Sequence, residues 1–188
     1  ESTLGELVMS YSKTPLNFEP GSKWSYSNAG INTLGRIVEV VSGVPFAKFL
    51  QQRVLDPCGM EDTTFWPTPA QAKRVAKSYR PDKNGELQQV EISFLAGGIS
   101  NRKRTPYPAG GLYSTAGDVT LFYQMMLNGG VTNGKRILKK ETVALMTHTQ
   151  TGDIKTGFVD GMSWGLGFQV VKEPQGVTET LSAGTYGH

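Results

Sequence analysis

The stretch Phe18-Glu19-Pro20-Gly21-Ser22-Lys23-Trp24-Ser25-Tyr26-Ser27-Asn28 decides how the rest of the chain is interpreted. A Pro-Gly turn passes through aromatic residues into Tyr26-Ser27-Asn28, and a helical pattern follows. Side chains two apart in an extended segment point the same way, so Tyr26 and Asn28 can face one cleft. There a phenol can act as a general base and an amide can hold a substrate carbonyl. Taken alone, the tripeptide favours a plainer interpretation, in which Tyr26 packs against Trp24 and Asn28 caps the helix.

Size and composition place the chain among ordinary globular proteins. It has 188 residues, of which 38% are hydrophobic and 19% are charged, and its net charge is +3. This length suits one domain or a large part of a bigger one. The dense basic spots are Arg102-Lys103-Arg104 and Lys139-Lys140. We interpret both as solvated loops, and we expect no nucleic-acid partner.

The cysteine, the histidines and the lengths of the apolar runs exclude several classes of site and of protein. Cys58 is the only cysteine, so no internal disulfide can form, and we expect it to be a small buried residue. The two histidines, His148 and His188, are not part of a cluster with metal-ligand spacing, and no phosphate-binding glycine loop occurs. We therefore expect neither a metal nor a cofactor. No run of about 18 apolar residues exists, which predicts no membrane span.

Helical patterns dominate the first two thirds of the chain. Apolar periodicity predicts helices at 2–13, at 31–42, from Pro45 to a stop at Pro57, at 119–128 and at about 140–147. The stripe on the second helix is assigned to the core and consists of Ile31, Leu34, Ile37, Val38 and Val41. Thr115-Ala116-Gly117-Asp118 has the pattern of a capping box that begins the fourth helix.

Strand patterns occupy the middle and the end. We predict a hairpin from 73–79 and 85–92, joined through the turn signal Asn84-Gly85, and then an open loop from Gly97-Gly98 to the Arg-Lys-Arg run. Near the end, residues 164–171 alternate small and bulky side chains like one strand, and 176–182 are predicted to be its hairpin partner.

Gly161-Met162-Ser163-Trp164-Gly165 fits the G-x-S-x-G pattern of the α/β-hydrolase nucleophile elbow. An elbow needs a strand before the serine and a helix after it, whereas a glycine-rich strand pattern follows Ser163. Glu179 and His188 do follow in the order of a triad. An α/β-hydrolase with Ser163 as its nucleophile is therefore kept as an alternative that requires a strand-to-helix turn at this serine.

Two other catalytic patterns occur literally and are interpreted as coincidences. Ser10-Tyr11-Ser12-Lys13 and Ser100-Asn101-Arg102-Lys103 both fit S-x-x-K, but neither begins a long buried helix that would desolvate its lysine. Lys155-Thr156-Gly157 spells K-T-G in a predicted loop rather than on a strand.

Several segments in a fixed order carry more information than any single motif. They are Phe18-Glu19-Pro20-Gly21 to Tyr26-Ser27-Asn28, Leu34-Gly35 to Ser42-Gly43, Asp56-Pro57-Cys58-Gly59-Met60 with Thr63-Thr64-Phe65, Ala109-Gly110-Gly111-Leu112-Tyr113-Ser114-Thr115 with Asp118, Asn128-Gly129-Gly130, and Trp164-Gly165-Leu166-Gly167-Phe168. The series resembles the serine β-lactamase and penicillin-binding-protein superfamily, in the branch of class C β-lactamases, D-alanyl-D-alanine peptidases and related esterases.

This resemblance implies the fold and the extent of the chain. The implied fold is α/β (α+β) and β-lactamase/transpeptidase-like, with the helical region and part of the antiparallel sheet, incomplete at both ends. Residues 1–188 are then a single partial domain, with about 1–150 mostly helical and about 160–188 forming sheet strands. Members are commonly periplasmic or secreted, but the N-terminus that would carry a signal is missing here, so the localisation stays open.

The resemblance also implies the site. Tyr26 matches the family's general base or proton shuttle, and Asn28 matches its substrate-orienting asparagine. The family's active serine lies many tens of residues before Tyr-x-Asn, so we expect this chain to lack the nucleophile. Tyr186-Gly187-His188 falls where the family's third motif begins, so His188 is assigned to substrate binding in place of the usual lysine. That replacement favours the esterase or peptidase-like branch.

The implied activity is hydrolysis of ester, β-lactam or D-amino-acid peptide bonds through an acyl-serine intermediate. We expect a small-molecule substrate of one of these classes, and we expect this chain alone to be inactive. The alternative from another class is a catalytically silent module that uses the same cleft to bind a peptide or cell-wall ligand. The oligomeric state is left open.

Overall fold

The computed structural model describes residues 2–91 and 98–188. Two compact units can be distinguished. The first holds the residues up to Lys13 together with Asn28–Phe122, and the second holds Thr14–Ser27 together with Tyr123–His188. The single partial domain expected from the sequence stays a prediction.

The helices follow the predicted order closely. They are α1 Leu4–Tyr11, α2 Asn28–Ser42, α3 Phe46–Leu50, a π-helical turn Gln51–Leu55, α4 Asp56–Cys58, α5 Pro69–Ala72, α6 Ala116–Leu127 and α7 Lys140–Thr147. Thr3 caps α1 in a reciprocal capping box with Glu6, and these hydrogen bonds from Thr3 lower the pKa of the Glu6 carboxyl. Gly43, with φ +68°, follows the end of α2 as predicted.

The strands are short and antiparallel throughout. They are β1 Ser78–Pro81, β2 Leu87–Val90, β3 Val131–Thr132, β4 Lys135–Arg136, β5 Met162–Trp164, β6 Gln169–Val171 and β7 Tyr186–Gly187. They form two hairpins, β1-β2 and β3-β4, and a three-stranded sheet in the order β5-β6-β7.

The third predicted helix ends later than expected. It continues from α3 through the π-helical turn into α4, and Pro57 lies inside that last turn. Gly59 ends the helix instead, in the left-handed conformation with φ +75°. The predicted stop at Pro57 is therefore wrong. The neighbouring Cys58 is fully buried, as predicted, and burial raises the pKa of its thiol.

The β1-β2 hairpin confirms the turn signal at Asn84-Gly85. Ser78 pairs with Val90, and the pairing continues to Pro81 opposite Leu87. The Asp82 carboxylate accepts from the backbone N–H groups of Asn84 and Glu86 at 2.8 and 3.0 Å. The predicted second strand extended to Ile92, which lies outside the described residues, as does Gly97 of the predicted open loop.

Helix α2 buries a different face from the one that its apolar stripe predicts. The stripe residues Ile31, Leu34, Ile37 and Val41 are between 40% and 82% exposed. The buried residues of this helix are Asn32 and Gly35.

The reason is polar pairing and close approach within the first unit. The Asn32 side chain donates to Tyr11 Oη and accepts from the Ala109 backbone N–H, both at 3.0 Å. A Cβ on Gly35 would lie 2.1 Å from Pro108 Cγ, so only glycine allows this contact. The assignment to the core is wrong for these four stripe residues, whereas the fifth, Val38, is partly buried.

The predicted long strand at 164–171 is in fact a hairpin. The chain turns between Trp164 at the end of β5 and Gln169 at the start of β6, with Gly167 at φ +85° in the turn. Residues 176–182 do not form the predicted partner strand; Gly176–Thr178 is a 3₁₀ turn, and β6 pairs with β7 instead. Glycine is favoured at the turn because φ is positive there, which breaks an otherwise strand-like pattern.

No helix among the described residues combines the length and the apolar character that crossing a membrane requires.

Candidate active site

Tyr26 lies in the second unit, in an irregular segment between the Gly21 turn and α2. The residue is 45% exposed. Its Oη lies 3.2 Å from His188 Nε2, within hydrogen-bond distance, and the tautomer of the imidazole decides which atom donates. The structure thus brings together two of the three site residues predicted from the sequence.

An aromatic cluster, formed by Trp24, Tyr26, Phe158, Trp164 and His188, surrounds this hydrogen bond. Trp24 and Trp164 stack with their ring centroids 5.4 Å apart. The Tyr26 ring lies 5.7 Å from Phe158 and 6.1 Å from Trp164, and Trp164 lies 5.2 Å from His188. These are ordinary distances for edge and tilted aromatic pairs. The cluster fixes the Tyr26 ring while its hydroxyl reaches His188.

Strand β7 positions His188. Gln169 of β6 pairs with Gly187, and Val170 pairs with Tyr186, so the backbone is fixed up to the residue before the imidazole. The Tyr186 ring packs 5.3 Å from Phe168 and 6.4 Å from Tyr123. Burial, together with the nearby Tyr123, raises the pKa of the Tyr186 phenol. Tyr186 therefore anchors the strand that leads into His188.

Asn28 is the first residue of α2 and belongs to the first unit, where it is exposed. The expectation that it faces one cleft with Tyr26 stays a prediction.

Ser163 does not have the surroundings of a nucleophile elbow. It lies inside β5, opposite Val170, and a hairpin turn rather than a helix follows this strand. Ser163 is only 2% exposed, and its Oγ has no hydrogen-bond partner among the described residues. The alternative of an α/β-hydrolase with Ser163 as its nucleophile is therefore wrong, because a substrate cannot reach this hydroxyl.

The remaining literal matches have structural roles in loops and turns. Ser10 Oγ donates to the Leu7 carbonyl within α1, and Ser100 Oγ donates to the Pro67 carbonyl. Lys155-Thr156-Gly157 lies in the loop before β5, as predicted. These contacts agree with the interpretation of all three matches as coincidences.

Arg104 is a residue that the sequence interpretation missed. It was assigned to a solvated loop but is 4% exposed in the first unit. Its guanidinium donates to the Phe65 carbonyl and lies over the Tyr113 ring, 5.7 Å from the centroid. Backbone carbonyls and an aromatic face replace water around the charge, which the local sequence Arg-Lys-Arg does not indicate.

Asp118 forms a second buried polar centre in the first unit. The Thr115 hydroxyl accepts from the Asp118 backbone N–H at 3.2 Å, so the predicted cap of α6 is present on one side. The carboxylate, however, accepts from the Asp62 backbone N–H at 2.9 Å and from Thr63 Oγ1 at 2.7 Å. It therefore ties α6 to the segment at 62–63 instead of completing a reciprocal capping box.

The part of the chain that the structure describes contains no group of three or more His, Cys, Asp or Glu side chains that could hold a metal ion.

The fold and the ordered segments can be compared with known proteins. The family model described as Beta-lactamase matches residues 2–188. The chain belongs to the Beta-lactamase family. This family is related to D-alanyl-D-alanine carboxypeptidases, penicillin-binding proteins and esterases. The resemblance carried by the ordered segments is thereby confirmed.

Two curated members show how much of a relative the chain covers. Protein Rv1367c of Mycobacterium tuberculosis is 33% identical over 175 residues, which cover 85% of this chain and 41% of that protein. An Escherichia coli K12 protein named "Putative D-alanyl-D-alanine carboxypeptidase" is 29% identical over 202 aligned residues, covering 98% of this chain and 44% of that protein. The chain spans less than half the length of these family members.

Two solved structures show the fold. EstCE1, described as a hydrolase with promiscuous acyltransferase activity, matches with a TM-score of 0.74 at 23% identity, covering 98% of this chain and 50% of that chain. A penicillin-binding protein from Bacillus halodurans matches with a TM-score of 0.68 at 21% identity, covering 91% and 47%. The predicted β-lactamase/transpeptidase-like fold is confirmed as a partial one, with mixed helices and small antiparallel sheets.

Proposed function

We propose that this chain is part of a serine hydrolase that cleaves ester, β-lactam or D-amino-acid peptide bonds through an acyl-serine intermediate, with Tyr26 as its general base. One observation carries the proposal: the Tyr26 hydroxyl lies 3.2 Å from His188 Nε2, in a cluster that fixes the ring but leaves the residue 45% exposed.

Tyr26 moves the proton of the reaction. The attacking serine hydroxyl loses its proton as the Oγ–carbonyl bond forms. The Tyr26 oxygen accepts that proton while the phenol passes its own proton to His188 Nε2. It then returns the proton to the leaving oxygen or nitrogen as the acyl bond breaks. His188 Nε2 can donate to Tyr26 Oη in one tautomer and accept from it in the other, so the imidazole can stabilise the phenol oxygen in both states.

Asn28 and His188 hold the substrate in this proposal. The Asn28 carboxamide can donate to a substrate carbonyl from its place at the first position of the 15-residue helix α2. The exposed imidazole of His188 can donate to a second polar group of the substrate.

The nucleophile lies outside these 188 residues in this proposal. Ser10 and Ser100 donate to backbone carbonyls, and Ser163 is buried inside β5, so none of these three serines is placed to attack a substrate. The chain spans less than half of the related family members, which leaves room for the serine in the remainder of the protein. The chain by itself is then inactive, since removing one member of a catalytic group costs orders of magnitude in rate.

Covalent labelling tests this proposal. The full-length protein that contains this chain is treated with a fluorophosphonate probe, and the labelled peptide is identified by mass spectrometry. We expect the label on a serine outside residues 2–188, with the same stoichiometry in the Ser163→Ala variant as in the wild type. A label on Ser163, or on any serine within these residues, would contradict the proposal.

A further inference from the structure

Phe158 is 67% exposed and is the most exposed of the phenylalanine, tyrosine and tryptophan residues of the aromatic cluster. Its ring nevertheless lies in contact with the site, because its centroid is 5.7 Å from Tyr26 and 5.9 Å from Trp24. One face of an aromatic ring is thus presented to solvent directly beside the proposed general base.

The two residues before Phe158 hold the loop that carries it in place. Thr156 is 5% exposed and donates from Oγ1 to the Met162 carbonyl of β5 at 3.2 Å. Gly157 has φ +80°, and a Cβ there would lie 3.0 Å from Met162 Cβ and 3.2 Å from Gln169 Nε2. A side chain at position 157 would be strained as well as crowded, so glycine is required. Phe158 is therefore held in place rather than exposed by a loose loop.

The Phe158 and Tyr26 rings together form an apolar surface of defined geometry. Their planes are tilted by 49°. The Trp24 ring meets Phe158 edge-on, at 83°. Of the charges in this loop, Lys155 and Asp160 pair with each other at 3.3 Å, so they add no net charge beside the surface. The partner that this surface suits is flat, apolar and uncharged.

We propose that Phe158 is a specificity-determining residue and that Phe158 and Tyr26 bind an aromatic group of the substrate next to the scissile carbonyl. Aromatic rings pair at centroid separations of 4.5–7 Å. A substrate ring stacked on Phe158 at such a distance lies within a few bonds of the Tyr26 hydroxyl. Esters and amides that carry a benzyl or phenylacetyl group are therefore the favoured substrates. This inference rests on the proposed function, since it uses Tyr26 as the base.

The experiment compares two pairs of esters that differ in aromaticity but little in size. The first pair places the ring in the acyl group, as methyl phenylacetate and methyl cyclohexylacetate. The second places it in the alcohol, as benzyl acetate and cyclohexylmethyl acetate. For the full-length protein, kcat/KM is measured for all four by acid release. We expect the wild type to prefer the aromatic member of at least one pair.

The variants at position 158 test the role of the ring. In Phe158→Ala and Phe158→Leu, the aromatic-to-cyclohexyl ratio falls about 2- to 10-fold, the range that one aromatic pair contributes, mainly through KM. Phe158→Tyr retains the ratio. Val177→Ala, which removes an 80% exposed apolar side chain elsewhere in the second unit, leaves the ratio unchanged. An unchanged ratio for both pairs in Phe158→Ala overturns the inference.

Tyr26→Phe separates the two proposals. It keeps the ring and removes the hydroxyl, so kcat falls for all four esters while the aromatic-to-cyclohexyl ratio is retained. If Tyr26→Phe leaves kcat intact, the proposed function fails. If Tyr26→Phe abolishes turnover but Phe158→Ala leaves the ratio unchanged, only the aromatic subsite fails.

Discussion

Two sets of polar side chains, one in each unit, differ in burial. In the first unit, Asn32, Arg104 and Asp118 are buried and have hydrogen-bond partners within that unit. In the second unit, Tyr26 and His188 are exposed and are hydrogen-bonded to each other. A ligand cannot reach a buried polar group, whereas it can reach an exposed one on a rigid support. The comparison therefore assigns stability to the first set and chemistry to the second.

The largest expected effect is the fall in kcat of the Tyr26→Phe variant. Loss of a general base lowers kcat by about 10²- to 10⁴-fold, because proton transfer to a positioned side chain contributes that much. The full-length protein is assayed with a simple ester. Tyr79→Phe, which removes a hydroxyl from a 53% exposed tyrosine on β1, is the matched control and should leave kcat unchanged. Equal rates for the two variants would contradict the assignment of chemistry to the second unit.

A smaller effect, on stability, is expected for Asp118→Ala. The variant leaves the Asp62 N–H and Thr63 Oγ1 without the carboxylate that accepts from them at 2.9 and 2.7 Å. Hydrogen bonds to charged groups contribute about 1.5–3 kcal/mol. The free energy of unfolding, measured in urea, should therefore fall by about 2–3 kcal/mol. Asp153→Ala, in which the carboxylate is fully exposed, is the control and should leave the unfolding free energy unchanged. A stable Asp118→Ala variant that lost activity would reverse the roles of the two units.

The smallest effect is the pH dependence at Asp62. Hydrogen bonds from Arg74 and Gln71 hold the pKa of the Asp62 carboxyl below its usual value. A lowered pKa in the folded state stabilises the protein above the unfolded value of about 3.9, and this stabilisation is lost as the pH falls through the folded value. The ion pair with Arg74 is partly exposed, so the effect is small.

Thermal unfolding of the wild type and Asp62→Asn, measured from pH 7 down to pH 3, checks this dependence. We expect the wild type to melt slightly higher at pH 7 and the two curves to converge at the acidic end. A difference that grows on acidification would contradict the sign of the shift.

Local patterns in the sequence predicted most of the elements. Caps, proline and glycine act within a few residues. The end of α2, the bounds of α7 and the turn at Asn84-Gly85 could therefore be predicted from neighbouring residues alone. The hairpin inside 164–171 could not, because an alternation of small and bulky residues looks the same whether the chain continues or turns at Gly167.

Burial was harder to predict than secondary structure. Arg104 is buried through its contacts with the Phe65 carbonyl and the Tyr113 ring, and neither contact leaves a mark in the sequence around the arginine. The apolar stripe of α2 is exposed because Asn32 and Gly35 orient the helix through partners about 75 residues away along the chain. Long-range pairing overrides periodicity in both cases.

For the site, Tyr26 and His188 could be predicted through the resemblance to a family, and their hydrogen bond spans 162 positions of the chain. Phe158 could not be found in this way, since a single phenylalanine after a glycine in a loop has no distinguishing pattern. Only its distance from Tyr26 in the folded chain points to it.

The central claim is that Tyr26 and His188 form a catalytic pair rather than a packing contact. A double-mutant cycle on the full-length protein tests it, with kcat for ester hydrolysis and the melting temperature measured for Tyr26→Phe, His188→Ala and the double variant. Residues that act as a unit are non-additive, so the double variant should be about as slow as Tyr26→Phe, and all three should melt within a few degrees of the wild type. The claim would be contradicted if the loss of kcat in the double variant equalled the product of the two single losses. Variants that melt lower but keep their kcat would also contradict it.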